Sequence, residues 1–277
     1  MSYKRILTIQ DISCVGQCSL TVALPILSAC GVEASILPSA VLSTHTAGFT
    51  GFTFRDLADD MPSIRDHWKK ENIQFSAIYT GYLGSISQVD YVLSIREATL
   101  AQGGKLIVDP AMADNGVLYK GFDNNFVEAM KKLCAKADYL VPNISEACFL
   151  TDTEYQEKYD QEYINTLIER LIALGSKNII LTGVSYQPGK TGVVVYVNNE
   201  YSYYEHDQIA GGCHGTGDIY SSAFVGALMN GFTPYDSAKI AADYVMECIV
   251  ETQKADNHWY GARFEPALHK LINMIHQ

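Results

Sequence analysis

Short apolar runs bounded by turn residues alternate with longer segments of helical period along most of this chain, and no other feature restricts the fold as strongly. Arg5 to Gln10, Phe75 to Thr80, Lys105 to Asp109, Tyr139 to Pro142 and Asn178 to Thr182 read as buried strands. Between them, Cys18 to Cys30, Pro62 to Asn72, Ser87 to Gly103, Phe122 to Ala137 and Glu162 to Gly175 read as helices. Alternation of this kind implies right-handed βαβ units, hence an α/β fold with a central, mostly parallel sheet flanked by helices on both faces. Gly192 to Val197 and Tyr201 to His206, flanking Asn198-Asn199, predict an antiparallel hairpin. Beyond Asp218 the pattern is helical throughout, with Ala238, Ala241, Ala242, Val245, Met246 and Ile249 on one stripe. Leu42 to Arg55 is the least regular part of the first half and reads as a candidate flap.

At 277 residues, with no linker, repeat or low-complexity stretch, residues 1–277 read as a single domain. Twenty basic against 31 acidic residues give a net charge of −11, which argues against a nucleic-acid partner. No apolar run is long enough for a bilayer, and Met1 to Ile6 passes directly into a strand without a leader pattern, so a cytoplasmic location and no membrane partner are expected. The seven cysteines lack the paired short spacings of a zinc site and read as reduced, mostly buried thiols, Cys213 excepted.

Gly211-Gly212-Cys213-His214-Gly215-Thr216-Gly217-Asp218 carries the strongest chemical signal, because it follows the hairpin and opens a helix. With two of its three residues lacking β-carbons, the backbone N–H groups of Gly215, Thr216 and Gly217 can converge on one point, where the helix dipole adds positive potential. Such a nest binds an anion and can stabilise charge on a migrating phosphoryl group. Asp218 then stands where a carboxylate can take a proton from an attacking hydroxyl. Glycine-rich turns and an acidic first helical turn also occur for conformational and dipole reasons alone. A P-loop is excluded, since no Lys-Ser or Lys-Thr follows, and Tyr220 stands in the third-glycine place of a dinucleotide fingerprint.

Gly-Thr-Gly-Asp opening a late helix in a chain of this pattern resembles the signature of ribokinase-like kinases. Ile9-Gln10 with Gly16, Ser43-Thr44-His45-Thr46, Thr80-Gly81-Tyr82-Leu83-Gly84-Ser85, Val108-Asp109-Pro110-Ala111-Met112 and Pro142-Asn143-Ile144-Ser145-Glu146 follow in the order found in the pyridoxal kinase family. The resemblance spans nearly the whole chain. It implies a single ribokinase-like domain, phosphorylation of the 5′-hydroxymethyl group of pyridoxal or a related B6 vitamer, ATP with Mg²⁺, a monovalent cation as a further candidate, and a homodimer.

By the same resemblance, Asp218 is the base and Gly215, Thr216 and Gly217 the anion hole. Asp109 and Glu146 would organise Mg²⁺, while Asn143, Glu146, Thr182 and Asp114 would serve the nucleotide. Read alone, Glu146 is better explained as the partner of Asn143 in a helix cap, and Asn143 and Thr182 as turn and capping residues. Asp11, Thr46 and Tyr82 would meet a small heteroaromatic alcohol, with Ser13 a second polar candidate. Asp11 departs from the usual neutral Ser, and a carboxylate there favours a protonated ring nitrogen or an N–H partner. Cys213 departs as well, and both Cys213 and His214 can be either packing or site residues. A hydroxymethylpyrimidine kinase shares the fold but commonly has Cys where this chain has Asp218. A sugar kinase fits the Thr46 and Tyr82 blocks less well, and the intact Asp218 argues against a non-catalytic vitamer carrier or sensor.

Overall fold

A computed structural model describes residues 4–211 and 213–276; Gly212 of the glycine-rich run and Met1 to Tyr3 lie outside the described residues. Nine strands form one sheet in the order β11-β10-β9-β8-β5-β4-β1-β2-β3. The strands β1 (Arg5–Ser13), β2 (Glu33–Leu42), β4 (Phe75–Thr80), β5 (Leu100–Val108), β8 (Tyr139–Leu140) and β9 (Ile179–Val184) are parallel. Short β3 (Phe54–Asp56) closes one edge antiparallel to β2, and the hairpin of β10 (Lys190–Val197) and β11 (Glu200–Asp207) closes the other. Residues β6 (Ala113–Asp114) and β7 (Val117–Leu118) make a separate small hairpin above the sheet.

Alternation along the strands sorts the core into two layers. Leu7, Ile78, Leu106, Ile179 and Leu181 pack beneath α2 (Met61–Lys70), α3 (Ile86–Thr99), α4 (Asn124–Cys134), α5 (Ile144–Leu150) and α6 (Gln161–Leu174). Their neighbours Ile6, Ala77, Ile107 and Ile180 face α1 (Leu20–Ala29), α7 (Thr216–Met229), α8 (Pro234–Gln253) and α9 (Leu268–Ile275). Strands buried on both faces read as continuous apolar runs, which is why the sequence pattern locates them. The ribokinase-like α/β architecture is therefore the one observed.

Two strands are added to the sequence reading and two expectations are corrected. Glu33–Leu42, unassigned from periodicity because Pro38 interrupts it, is the strand that pairs along β1, and Phe54–Asp56 at the end of the irregular segment pairs with it. The helix expected to run to Gly103 stops at Thr99, where the chain enters β5 early through Gly103 and Gly104, with Leu100 already paired to Phe75. The region beyond Asp218 is not helical throughout: residues 254–264 leave α8 and return as an irregular strap before α9.

Topology places the site. From β1 the chain goes to β2 on one side and to β4, β5, β8 and β9 on the other, so the direction of winding reverses between β1 and β4. Ligands of open α/β sheets bind at the carboxyl ends of the strands beside such a reversal.

Candidate active site

A cavity of about 760 Å³ lies over those carboxyl ends. Asp11 and Ser13 end β1, Thr46 follows β2, Tyr82 follows β4, Asp109 follows β5, Asn143 and Glu146 follow β8, and Thr182 lies in β9. Asp114 from the small hairpin and Gly215 to Asp218 from the start of α7 complete the lining, so every candidate drawn from the sequence faces one space.

Gly215 is the N-cap of α7, with a left-handed φ of 78° and no side-chain hydrogen bond capping the helix. A β-carbon there would stand 1.8 Å from the Gln17 carbonyl, so only glycine fits this turn. Gly217 differs: a β-carbon would meet nothing within 4 Å. Gly215, Thr216 and Gly217 line the cavity, and among the described residues no side chain caps the start of α7, which leaves amide donors there for an anion. Thr216 Oγ1 donates to the Cys213 carbonyl at 3.3 Å, tying the start of α7 to the glycine-rich turn.

Asp218 sits half-buried in the first turn of α7. Burial, and then the negative charges of Asp109 and Asp11, push its carboxyl up to about 7, against a lowering contribution from the Ser19 backbone N–H. Ser19 ends the loop before α1 with a φ of 55°, uncommon for a residue with a side chain, and lines the cavity. No sequence signal separates Ser19 from an ordinary helix cap.

Asp109 accepts from Ala111 N–H at 3.1 Å and from the Ser221 hydroxyl at 2.7 Å. Glu146 accepts from Met112 N–H at 3.1 Å and Asn143 N–H at 2.8 Å, and the Asn143 amide oxygen accepts from Glu146 N–H at 2.9 Å. The capping box read from the sequence is therefore present, and Asn143 also donates to the Ala113 carbonyl at 2.9 Å, anchoring the small hairpin. Burial raises both the Asp109 and Glu146 carboxyls, and Asp109 raises Glu146 further. Two buried, mutually repelling carboxylates with spare lone pairs fit Mg²⁺, which takes few carboxylates and completes its shell with water and phosphate oxygens. Among the described residues no cluster of three or more His, Cys, Asp or Glu converges to hold a metal by protein ligands alone.

At the other end, Asp11 is 4% exposed and accepts from Ser13 Oγ at 2.9 Å. Burial raises its carboxyl, and among the described residues no Lys or Arg pairs with it. Tyr82 stacks on Phe122 with ring centroids 5.4 Å apart, and its hydroxyl is pushed up to about 12 by burial. His45 is a site residue whose state only the structure reveals. Ala47 N–H donates to its Nδ1 at 3.2 Å, so Nε2 carries the proton and donates to the Tyr260 carbonyl at 2.8 Å. Burial lowers its pKa and keeps the ring neutral. The Thr182 hydroxyl donates to the Pro142 carbonyl at 3.2 Å, Thr46 is exposed at the rim, and Asp114 accepts from Asn115 N–H at 2.9 Å. Lys120, absent from the sequence-derived set, is the only Lys or Arg among the described cavity-lining residues. A single lysine in a loop carries no spacing by which to find it.

Anion donors and a raised carboxyl in one cavity are what transfer of an anionic group to a hydroxyl asks for, and comparison with known proteins makes the chain an ATP-dependent small-molecule kinase. The phosphomethylpyrimidine kinase family model matches residues 27–262, and the chain belongs to that family. A Bacteroides thetaiotaomicron protein named as a phosphomethylpyrimidine kinase, whose crystal form contains pyridoxal, is 35% identical with a TM-score of 0.91, covering 98% of this chain and 96% of that one. The pyridoxal kinase of Lactobacillus plantarum is 29% identical with a TM-score of 0.90, covering 99% and 98%. A pyridoxine/pyridoxal/pyridoxamine kinase of Bordetella avium is 26% identical over 264 residues, 91% of this chain and 86% of its own length. The chain is thus a kinase of the B6 or pyrimidine type.

Proposed function

We propose that the chain, acting as one unit over residues 1–277, transfers the γ-phosphoryl group of ATP to the 5′-hydroxymethyl group of pyridoxal or a related B6 vitamer, giving the 5′-phosphate and ADP. The carrying observation is that one cavity joins an uncapped helix N-terminus, with Asp218 beside it, to a buried Asp11 near Tyr82 that no Lys or Arg pairs with among the described residues. Asp218 takes the hydroxyl proton as that oxygen attacks the γ-phosphorus, and the bond to the ADP oxygen breaks. The amides of Gly215, Thr216 and Gly217 hold the charge that builds on the equatorial oxygens. A base with a pKa near 7 suits this task at neutral pH. Mg²⁺ held near Asp109 and Glu146 would neutralise phosphate charge when bound. Asn143 and Glu146 serve by fixing α5 and the small hairpin, from which Asp114, and Lys120 just beyond it, face the nucleotide.

Asp11 favours a ring that offers a proton. A buried carboxylate without a basic partner gains most from a pyridinium or an N–H donor, which B6 vitamers supply. The exocyclic amine of hydroxymethylpyrimidine is the competing donor, and the family match keeps that substrate in the test. ADP release is to be measured with pyridoxal, pyridoxine, pyridoxamine, hydroxymethylpyrimidine and ribose. A B6 vitamer is expected to lead in kcat/KM by about tenfold or more. A lead for hydroxymethylpyrimidine would overturn the substrate assignment, and no turnover of any would favour a carrier.

A further inference from the structure

The strap at residues 254–264, which the helical pattern does not foreshadow, touches three loops of the site at once. Its Tyr260 carbonyl accepts from His45 Nε2 at 2.8 Å and from Gln17 N–H at 3.3 Å. Its Ala262 N–H donates to the His214 carbonyl at 3.0 Å, next to the glycine turn of α7. Trp259 lies on Phe49 with ring centroids 4.7 Å apart, and Phe49 meets His45 edge-on at 4.9 Å. At Gly48 a β-carbon would come within 2.9 Å of the Trp259 ring, so that glycine is what lets the indole close down on the loop. Trp259 itself is 53% exposed and does not line the cavity. A large aromatic left half in water, pressed on a loop of small residues, has no role in the core.

We propose that Trp259 is a positioning residue: it clamps the loop carrying His45 and Thr46 against the strap, and so presents the alcohol-binding side of the cavity to a nest that the same strap already holds. The other anchors of the strap, to Gln17, His214 and His45, run through its backbone and survive removal of the indole, which leaves the loop held to the strap by the His45 bond without the aromatic contact. Loss of Trp259 therefore loosens residues 43–53 and leaves Gly215 to Asp218 in place. The kinetic consequence rests on the B6 reading above, whereas the loosening does not.

Two measurements on Trp259→Ala test the clamp. Hydrogen exchange of the ligand-free protein is expected to speed up about tenfold across residues 43–53, with α1 and α7 amides unchanged. The KM for pyridoxal is expected to rise about five- to tenfold, the worth of one aromatic pair, with the KM for ATP within about twofold of wild type. Trp259→Phe is expected to restore most of both. Unchanged exchange across 43–53, or equal rises in both KM values, would overturn the proposal. If the wild type fails to phosphorylate pyridoxal, the B6 reading falls and the exchange measurement alone decides the clamp.

Discussion

Gly217→Ala separates what the fold needs from what phosphoryl transfer needs. A methyl group there meets no atom of the protein within 4 Å, and the backbone at this position is not in the left-handed region. Alanine replaces glycine in the first turn of α7, and helix propensity favours the change by about 0.5–1 kcal/mol. For a chain of this size that corresponds to a rise in Tm of roughly 1–3 °C. The same methyl would stand in the cavity beside the three amides proposed to hold the phosphoryl oxygens, and is expected to push those oxygens away from at least one donor. Loss of one such donor costs about 10²–10³ in kcat, or roughly 3–4 kcal/mol of transition-state stabilisation. The expected signature is an enzyme that melts slightly higher and turns over at least about a hundredfold more slowly. Differential scanning fluorimetry and coupled ADP release measure the two sides. A variant with near-normal kcat would show that the migrating group does not pass over Gly217, and the anion-hole assignment would have to be withdrawn. Gly215→Ala is the control, expected to lose stability because its β-carbon would lie 1.8 Å from a carbonyl oxygen.

With its carboxyl pushed up to about 7, Asp218 is expected to make kcat/KM fall about tenfold per pH unit below that value and level off above it. The folded protein holds this proton more tightly than the unfolded chain, so the stability it lends is full below pH 3.8 and lost as pH rises through about 7. Asp218→Asn is therefore expected to melt above wild type at pH 8 and near it at pH 4, and the reverse order would contradict the burial argument. Asp11→Asn is expected to raise the KM for the B6 substrate about tenfold with the KM for ATP unchanged, because only the alcohol side loses its charge-assisted partner.

The parallel core was legible because strands covered on both faces must be apolar throughout, and their ends mark the carboxyl edge where Asp11, Tyr82, Asp109 and Asn143 lie. The edges were not. Glu33–Leu42 carries Pro38 and an uneven burial pattern, and Phe54–Asp56 is exposed at every residue, so neither shows a period. The candidates drawn from the ordered blocks line one cavity, and the capping box of Asn143 and Glu146 was legible from spacing alone. Lys120, Ser19, the neutral state of His45 and the strap of Trp259 and Tyr260 depend on segments far apart in sequence that meet only after folding. No local pattern encodes such meetings.

Single-turnover kinetics of Asp218→Asn with saturating ATP and pyridoxal tests the central assignment most directly. The phosphoryl-transfer rate is expected to fall about 10²–10⁴-fold, while pyridoxal and ADP bind within a few fold of wild type. A transfer rate close to wild type, with both ligands bound, would contradict Asp218 as the base.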